Sequence, residues 1–359
     1  MELTQRRLNR ALLARQLLLE RSRLPLTKAV ERIAGLQTQY APSAYIGLWS
    51  RLEGFQLGDL TRALEHRRVV QATLMRSTIH VVPASDYWPF AVAIWRDRRV
   101  WWERTHRRYV GEVDLDAADA AVRDALADGP LHRNELLDVV RPFNSSRPTL
   151  VWNGVGVELV RVPPSGTWEH RRADLFATAE SWLGPPGIDE ADALDLLLRR
   201  YLAGFGPATL ADAADWAGIP GTTLRPSAER LRLRRFADEE GRELLDLPRG
   251  PLPGADVRPP ARFLPTWDAT LLVHARRTQI LPERFRPLVF GTKTPQSFPT
   301  FLVDGAVAGK WRVERTKAKA TLALEPFEPL PPAARDELRD EAERLVRFHE
   351  PDATSYAVR

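Results

Sequence analysis

The sequence predicts an α+β fold in which three tandem winged-helix modules precede a small, β-rich, barrel-like C-terminal domain. Two observations support this prediction. Helical patterns followed by a pair of strand-like runs recur three times, and a Pro- and Gly-rich connector then leads into a final segment rich in strand-like runs. The boundaries predicted from these patterns are residues 1–110, 111–187, 188–250 and 251–359.

The first module is predicted to contain four helices and one pair of strands. Apolar residues at three- and four-residue spacing indicate helices over residues 4–23, 26–36, 45–52 and 57–65. Two runs rich in β-branched residues, 69–74 and 78–82, flank Met75-Arg76-Ser77 and therefore predict paired strands.

The same order of elements recurs in the next two modules. Both enter a helix through a Gly-Pro pair, Gly129-Pro130 and Gly206-Pro207, which supplies a turn and pre-sets the first helical residue. The predicted helical segments are 114–128, 131–137, 147–159, 189–203, 206–216 and 227–231. The predicted strands are 159–162, 167–170, 234–236 and 243–247.

The last module follows a connector at residues 248–265 that is too rich in Pro and Gly for a helix or a central strand. Asp304-Gly305 is typical of a hairpin turn, and an amphipathic helix is predicted over 333–349. The strand-like runs are 271–273, 288–290, 300–303, 306–315 and 320–324.

The composition is that of a folded protein and narrows the function only slightly. Hydrophobic residues make up 44% and charged residues 28% of the 359 residues, and 52 basic against 47 acidic residues give a net charge of +5. Only five of the basic residues are lysines. Arginine suits phosphate contacts, although codon bias in a GC-rich genome would produce the same excess.

Several classes of site and location are disfavoured by the sequence. The chain has no cysteine, which excludes disulfides, thiolate metal sites and cysteine nucleophiles. The seven histidines show no metal-binding spacing, and no phosphate-binding glycine motif occurs, so we expect no metal and no cofactor. No apolar run approaches the roughly 20 residues of a membrane span, and no export signal is recognisable. We expect a cytoplasmic, nucleoid-associated protein.

The segment Gln37-Thr38-Gln39 is the candidate catalytic site. Pro42 disfavours the α conformation at Ala41, so the second helix is predicted to end near Gln39. On a continuous helix the two glutamines would point about 200° apart, whereas two amides at a helix end can converge. An isolated Gln-x-Gln is ordinarily a pair of surface residues, so the prediction depends on its context.

Two arginine-rich segments are candidate nucleic-acid contacts. Residues 96–108 interleave arginines with tryptophans and a histidine. Such a segment can bind phosphates through its arginines and stack on bases through its aromatic rings. Alternatively, it is a helix whose tryptophans lie in the core and whose arginines face solvent. Residues 230–235 contain four arginines at the predicted start of the third hairpin.

Five groups of residues together resemble a known family over nearly the whole chain. They are Leu3-Thr4 with Arg7-Leu8, Gly35-Leu36-Gln37-Thr38-Gln39, Gly47-Leu48-Trp49-Ser50-Arg51, Leu74-Met75-Arg76-Ser77-Thr78-Ile79-His80, and Val303-Asp304-Gly305 with Trp311-Arg312. In this order and spacing they resemble the tandem winged-helix DNA glycosylases of the AlkZ/YcaQ type. The resemblance implies excision of bulky N-alkylated purines and unhooking of interstrand crosslinks, with Gln37 and Gln39 as the catalytic pair. The YcaQ-like branch has Asp at the position of Gln39.

The resemblance implies a partner, and together with the basic segments and a predicted hairpin it indicates further site residues. The partner is double-stranded DNA bearing alkylated purines or crosslinks, bound by a monomer. Predicted DNA contacts are Arg51, Arg76, Arg98, Arg99, Arg234, Arg235, Lys293 and Arg312. Predicted lesion-recognition residues are His80, Thr292, Lys293, Gln296 and Phe298. Apart from His80, these lesion-recognition residues lie on a predicted hairpin tip, which either enters a DNA groove as a wedge or is a plain surface hairpin. His80 is alternatively a core residue.

The absence of a carboxylate from the motif predicts a particular mechanism. A glutamine amide has no useful basicity, but it can orient a water and offer its dipole to an oxocarbenium-like sugar. An N7- or N3-alkylated purine is already cationic and leaves as a neutral base without an acid. Since no lysine lies near the motif, we expect a monofunctional glycosylase.

Other functions explain part of the same pattern. A winged-helix regulator or architectural DNA binder without catalysis accounts equally well for the repeats and the basic residues. A protein-interaction scaffold would be favoured by an acidic concave face. Within the glycosylase interpretation, self-resistance to a DNA-alkylating natural product and general housekeeping repair share these motifs.

Overall fold

The computed structural model describes residues 1–110, 113–272, 277–291 and 297–359, and these mix helix and sheet as the α+β prediction requires. Within these ranges no helix has the length and apolarity needed to cross a membrane. The helices are α1 (Gln5–Arg15), α2 (Leu26–Arg32), α3 (Pro42–Arg51), α4 (Leu57–Glu65), α5 (Ala84–Val110), α6 (Leu115–Ala125), α7 (Arg133–Val140), α8 (Pro148–Gly154), α9 (Ala179–Leu183), α10 (Glu190–Phe205), α11 (Leu210–Ala217), α12 (Gly221–Arg230), α13 (Arg286–Val289) and α14 (Pro332–His349).

The strands form three sheets. They are β1 (Glu2–Leu3), β2 (Leu36–Gln37), β3 (Val69–Thr73), β4 (Ile79–Pro83), β5 (Leu131–His132), β6 (Leu159–Arg161), β7 (Leu175–Thr178), β8 (Arg234–Asp238), β9 (Glu243–Asp246), β10 (Arg262–Leu264), β11 (Thr300–Val303), β12 (Ala306–Arg315), β13 (Lys319–Pro326) and β14 (Ser355–Val358). Their orders within the sheets are β2-β4-β3-β6-β7-β5, β1-β8-β9 and β10-β11-β12-β13-β14.

The six-stranded sheet joins two segments that the sequence analysis assigned to separate modules. Strand β3 pairs antiparallel with β6, so that Gln71 lies opposite Arg161 and Ala72 opposite Val160. The hairpin β3–β4 and the strands β6 and β7 therefore belong to one continuous sheet. This places side chains of residues 69–83 next to side chains of residues 159–178.

The first two helices are shorter than predicted because each ends in a left-handed turn at a residue other than glycine. Helix α1 ends at Arg15 instead of residue 23, with Leu17 at φ 57° and a hydrogen bond of 2.8 Å from Leu18 N to Leu13 O. Helix α2 ends at Arg32 instead of residue 36, with Ala34 at φ 62°. Such turns satisfy the last helical carbonyls, and without a glycine the apolar spacing conceals them.

Gly35 converts the predicted end of the second helix into strand β2. Its φ is 84°, and a Cβ on it would lie 2.9 Å from Val82 Cγ1 and 3.0 Å from Val81 O. Only glycine allows this approach without strain. The chain then pairs antiparallel with β4, Leu36 opposite Val81 and Gln37 opposite His80. The prediction that the second helix ends near Gln39 is therefore wrong, and Gln37 lies on an edge strand.

Other predicted elements also differ from the structure. Residues 167–170 are not a strand, and β7 supplies the pairing of β6 instead. The run 288–290 falls largely in α13, and the run at 271 lies in a 3-10 turn with residue 273 outside the described ranges. Short apolar runs fit buried helix and buried strand equally well, which explains these errors. The connector ends in β10, an edge strand, and β14 was not predicted.

An aromatic core holds α5, α10 and α11 together. Trp216 of α11 packs edge-on against Phe90 of α5, with ring centroids 5.9 Å apart, and in a tilted arrangement against Tyr201 of α10 at 5.3 Å. All three side chains are buried. Since α5 follows directly from β4, this core connects the six-stranded sheet to residues 190–217.

A buried ion pair connects α3 to the segment after the connector. Arg51 Nη1 and Nη2 donate to Asp268 Oδ2 and Oδ1 at 3.0 and 2.9 Å, and both side chains are 1% exposed. Nη1 also donates to Gly47 O at 3.0 Å. The prediction that Arg51 contacts DNA is not supported by this placement, because its guanidinium is held inside the fold and presents no surface to a phosphate.

We expect Arg51→Met to lower the free energy of unfolding by about 3–5 kcal/mol, because it leaves Asp268 buried without its partner. Removing both charges, in Arg51→Met with Asp268→Leu, should recover part of this loss. Urea unfolding followed by circular dichroism measures both. As a control, Arg23→Met breaks an exposed ion pair with Glu53 and should change stability little. Unchanged stability of Arg51→Met, with weakened DNA binding, would contradict a structural role.

Candidate active site at the edge of the six-stranded sheet

Strand β4 positions both glutamines of the candidate motif. Gln37 lies opposite His80 of β4, and its side chain is only 5% exposed. Gln39, two residues further, is exposed, and its Oε1 accepts a hydrogen bond of 2.6 Å from the backbone N–H of Ile79. Between them, Thr38 N donates to Ile79 O at 2.8 Å. The glutamines are thus held by adjacent residues of β4 rather than by convergence at a helix end.

The Gln37 side chain is oriented by Arg76, which lies in the turn between β3 and β4. Arg76 Nη2 donates to Gln37 Oε1 at 3.1 Å, and Nη1 donates to Trp216 O at 3.2 Å. Arg76 therefore links the glutamine to the end of α11. Its predicted role as a DNA contact stays a prediction, and the structure gives its guanidinium two carbonyl acceptors within the protein.

The turn that carries Arg76 is packed tightly against α11. Arg76 has φ 52° and Ser77 has φ 55°, both in the left-handed region. Gly218, which caps α11 at φ 79°, lies so close that a Cβ on it would be 3.0 Å from both Arg76 N and Arg76 Cα. The glycine is required here for both reasons, conformation and space.

These contacts determine which way each amide points. Arg76 and the Ile79 N–H are donors, so the atoms that face them must be the amide oxygens and not the NH₂ groups. Among the residues that the structure describes, neither Nε2 has a hydrogen-bond partner. Both NH₂ groups are consequently available to a ligand, and each amide oxygen retains a second lone pair.

His80 lies beside Gln37 on the sheet as a neutral side chain. It is 2% exposed, and its Nδ1–H donates to Thr78 O over 3.0 Å. Burial lowers the pKa of His80 to about 3; the bond to Thr78 opposes this shift and the charge of Arg76 adds to it. His80 is therefore a neutral imidazole near neutral pH and cannot act as an imidazolium acid. Its predicted contact with a lesion stays a prediction.

Two adjoining cavities open beside the turn and β4. The smaller, of about 220 Å³, is lined by Arg76, and the larger, of about 440 Å³, by Ile79, whose N–H holds Gln39. Both are lined by Ser77, Arg98 and Trp101. Trp101 is 53% exposed, whereas Arg98 donates to Glu158 Oε1 at 2.9 Å. The structure thus brings together five predicted site residues, Gln37, Gln39, Arg76, His80 and Arg98.

The remaining predicted contacts lie on other elements. Arg99 is surrounded by the carboxylates of Glu103, Asp116 and Asp119, so its charge is largely compensated. In strand β8, Arg234 lies over the ring of Phe236 at 4.6 Å, and Arg235 pairs with Glu243.

The last two described residues of the prediction are Arg312 on β12 and Phe298, which lies just before β11. Arg312 forms ion pairs with Glu314 and Glu325. Lys310 Nζ lies 5.3 Å from the ring centroid of Phe298. Thr292, Lys293 and Gln296 lie outside the described residues.

Sequence reasoning missed two arginines that line the larger cavity, Arg133 and Arg161. Arg161 of β6 lines the larger cavity, and it reaches that position only because β6 joins the sheet of β3 and β4. No local pattern marks it, since it is a single arginine in a short apolar strand.

A family model and a solved structure match this chain over most of its length. The family model of the AlkZ-like DNA glycosylases matches residues 30–348, which include both glutamines, the Arg76 turn and the six-stranded sheet. The solved structure of the DNA glycosylase AlkZ from Streptomyces sahachiroi is similar, with a TM-score of 0.81 and 18% sequence identity over 100% of each chain. No curated protein matches. The structural likeness shows the fold, and the family match covers most of the chain. The chain therefore belongs to the AlkZ-like DNA glycosylase family.

Proposed function

We propose that this protein is a DNA repair glycosylase that hydrolyses the N-glycosidic bond of bulky N7- or N3-alkylated purines in duplex DNA. The observation that carries the proposal is the pair Gln37 and Gln39, whose amides are oriented by Arg76 and by the Ile79 N–H inside a segment matched by the glycosylase family. Three winged-helix modules and a barrel-like domain would hold the duplex around this edge.

The chemistry suits a site without acid or base. The C1′–N bond breaks, and its electron pair moves onto the cationic purine, which leaves as a neutral base. The oxygen of a water bonds to C1′, and the surplus proton passes to solvent. Neither glutamine titrates, and His80 with its lowered pKa stays neutral, so the protein contributes orientation and dipoles rather than proton transfer.

The two glutamines have unequal roles in this proposal. Gln39 is exposed, so its NH₂ group can hold the water that attacks C1′. Gln37 is nearly buried on the edge strand, so its amide acts from a deeper position than the amide of Gln39. Arg76 polarises the Gln37 amide by binding its oxygen, which strengthens the NH₂ group as a donor.

The same hydrolysis extends to crosslinks. An interstrand crosslink between two alkylated purines contains two such glycosidic bonds, and cleavage of either one unhooks the strands. In an organism that makes a DNA-alkylating natural product, this activity would provide self-resistance. Abasic DNA is the product, because no lysine of the chain lies next to the glutamines in sequence.

We expect Gln39→Ala and Gln37→Ala each to slow release of 7-methylguanine from duplex DNA by about 100-fold, the typical loss for one oriented donor at a reacting centre. Single-turnover kinetics measures this rate. The control is Gln5→Ala, an exposed glutamine on α1 that should retain the full rate. Wild-type rates in both motif variants would contradict the assignment of Gln37 and Gln39 as catalytic residues.

The product should be an intact strand with an abasic site, cut only after alkali treatment. The nearest lysine in sequence, Lys28, is on α2 and pairs with Glu31 at 2.8 Å. Borohydride added during turnover should therefore trap no covalent protein–DNA complex. Denaturing gels resolve both outcomes, and a trapped complex would show that a lysine Schiff base forms.

We expect Arg76→Met to reduce the single-turnover rate by about 10- to 100-fold through misplacement of Gln37, with little change in DNA affinity. Arg234→Met, which removes a proposed phosphate contact, should do the reverse. It should weaken DNA binding and lower the slope of log K against log salt by about 1. Fluorescence anisotropy gives affinity and salt slope. A pure affinity effect of Arg76→Met would make Arg76 a DNA contact instead.

A further inference from the structure

The loop between β6 and β7 places an arginine next to the glutamine motif. Arg171 of this loop donates from Nη1 to the hydroxyl oxygen of Tyr40 at 2.9 Å. Tyr40 follows Gln39 directly in the chain, and its side chain is 44% exposed. The Arg171 guanidinium is thereby tied to the residue beside Gln39, about one tyrosine side chain away from it.

Hydrogen bonds within the loop and a tryptophan anchored in the core fix the shape of the loop. Ser165 Oγ donates to Arg172 O at 2.7 Å and accepts from the N–H of Asp174 at 2.7 Å. Trp168 is only 7% exposed, and its ring packs edge-on against Tyr45 of α3 with centroids 5.5 Å apart. The loop is therefore a fixed support for the arginine that it carries.

Arg171 has only neutral partners among the residues that the structure describes. Its Nε donates to Trp168 O at 3.2 Å, and its guanidinium lies 5.2 Å from the centroid of the Trp168 ring. Its neighbour Arg172, in contrast, pairs with Asp174 at 3.3 Å. A carbonyl and a phenol orient a guanidinium without neutralising its charge. Of the five guanidinium N–H groups, three stay available to a ligand, and the side chain is exposed.

An oriented guanidinium with a free charge suits a phosphate. Its planar N–H groups match phosphate oxygens in pairs. The rotamer entropy of this long side chain is already lost in the folded protein, so binding does not incur that cost again. Each DNA strand carries one phosphate per about 3.4 Å of helix axis. A strand whose reacting sugar lies at Gln39 therefore brings a phosphate to Arg171 within a few nucleotides of that sugar.

We propose that Arg171 binds a backbone phosphate of the DNA strand that carries the reacting nucleotide, and that Tyr40 is the positioning residue that holds its guanidinium. This contact fixes the strand relative to Gln39. The place of the reacting nucleotide rests on the proposed function, whereas the phosphate contact follows from the partners and the charge of Arg171.

The test measures DNA binding without turnover. The probe is a duplex carrying the 2′-fluoroarabino analogue of 7-methyl-2′-deoxyguanosine, because the electronegative fluorine destabilises the oxocarbenium-like sugar and slows cleavage. Methylphosphonate linkages replace the phosphates on either side of the lesion one at a time, and each replacement removes one negative charge. Fluorescence anisotropy gives the affinity of each duplex and its dependence on salt.

The wild-type protein should bind about ten-fold more weakly when one particular phosphate near the lesion is replaced, the effect of losing one charge-assisted contact. Arg171→Met should bind the all-phosphate duplex about ten-fold more weakly and should be insensitive to that same replacement. It should also lower the slope of log K against log salt by about 1. Loss of sensitivity at one linkage identifies a direct contact, because a structural defect in the loop leaves that sensitivity in place.

Two further variants separate contact from position. Arg172→Met removes the adjacent arginine, which already pairs with Asp174, and should leave the affinity, the salt slope and the methylphosphonate sensitivity unchanged. Tyr40→Phe keeps the ring and removes the hydroxyl that holds Arg171. It should weaken binding less than Arg171→Met does, and it should add no further loss in the double variant.

Two results would overturn the phosphate contact, namely an unchanged salt slope in Arg171→Met or wild-type sensitivity of this variant at every linkage. Additive losses in the double variant would overturn the role of Tyr40. Excision of 7-methylguanine is measured separately. If the glutamine variants excise at the wild-type rate while Arg171→Met shows the expected binding changes, the proposed function fails and the phosphate contact stands. The opposite pattern leaves glutamine-dependent excision standing alone.

Discussion

The left-handed turn at Arg76 and Ser77 is the constraint on which the candidate site depends. Each non-glycine residue held at positive φ costs on the order of 1–3 kcal/mol, so the surroundings must stabilise the turn. Hydrogen bonds from Leu74 N to Thr78 O and from Thr78 N to Met75 O close it, and Gly218 packs against its backbone. Because the turn is held in this way, the Arg76 guanidinium reaches Gln37 on one side and Trp216 O on the other.

Strand β4 gives the site and the neighbouring cavity a common support. It pairs with β2 on one side and with β3 on the other, and β3 continues the sheet to β6. Ile79, the first residue of β4, holds Gln39 through its N–H and also lines the larger cavity. A group bound in the cavity would therefore lie against the same strand that holds the glutamines.

Some arginines of the chain bind carboxylates within the protein, whereas others are candidates for phosphate contacts. The amino-acid composition alone does not distinguish the two groups. Arg15 and Arg51 are fully buried and bind Asp246 and Asp268 through two hydrogen bonds each. The planar guanidinium matches a carboxylate in this way, which makes arginine suited to internal ion pairs as well as to phosphates. Arg99 and Arg312 are engaged by surface carboxylates, whereas Arg234 has no ion pair among the described residues. Part of the arginine excess thus stabilises the fold.

The sequence by itself determined what depends on local periodicity. The helix over residues 57–65 and the strand pairs near 69–83 and 234–246 agree with α4, β3–β4 and β8–β9, because side-chain spacing over a few residues specifies each of them. The candidate glutamines and the family were also recognisable from ordered motifs.

Tertiary structure decided the rest. Gly35 becomes the start of an edge strand only through its contact with Val82, and Arg161 joins the cavity only through the pairing of β6 with β3. Contacts between residues this far apart in the chain leave no pattern in either segment, so folding alone reveals that the glutamines, Arg76 and the larger cavity are brought together by one sheet.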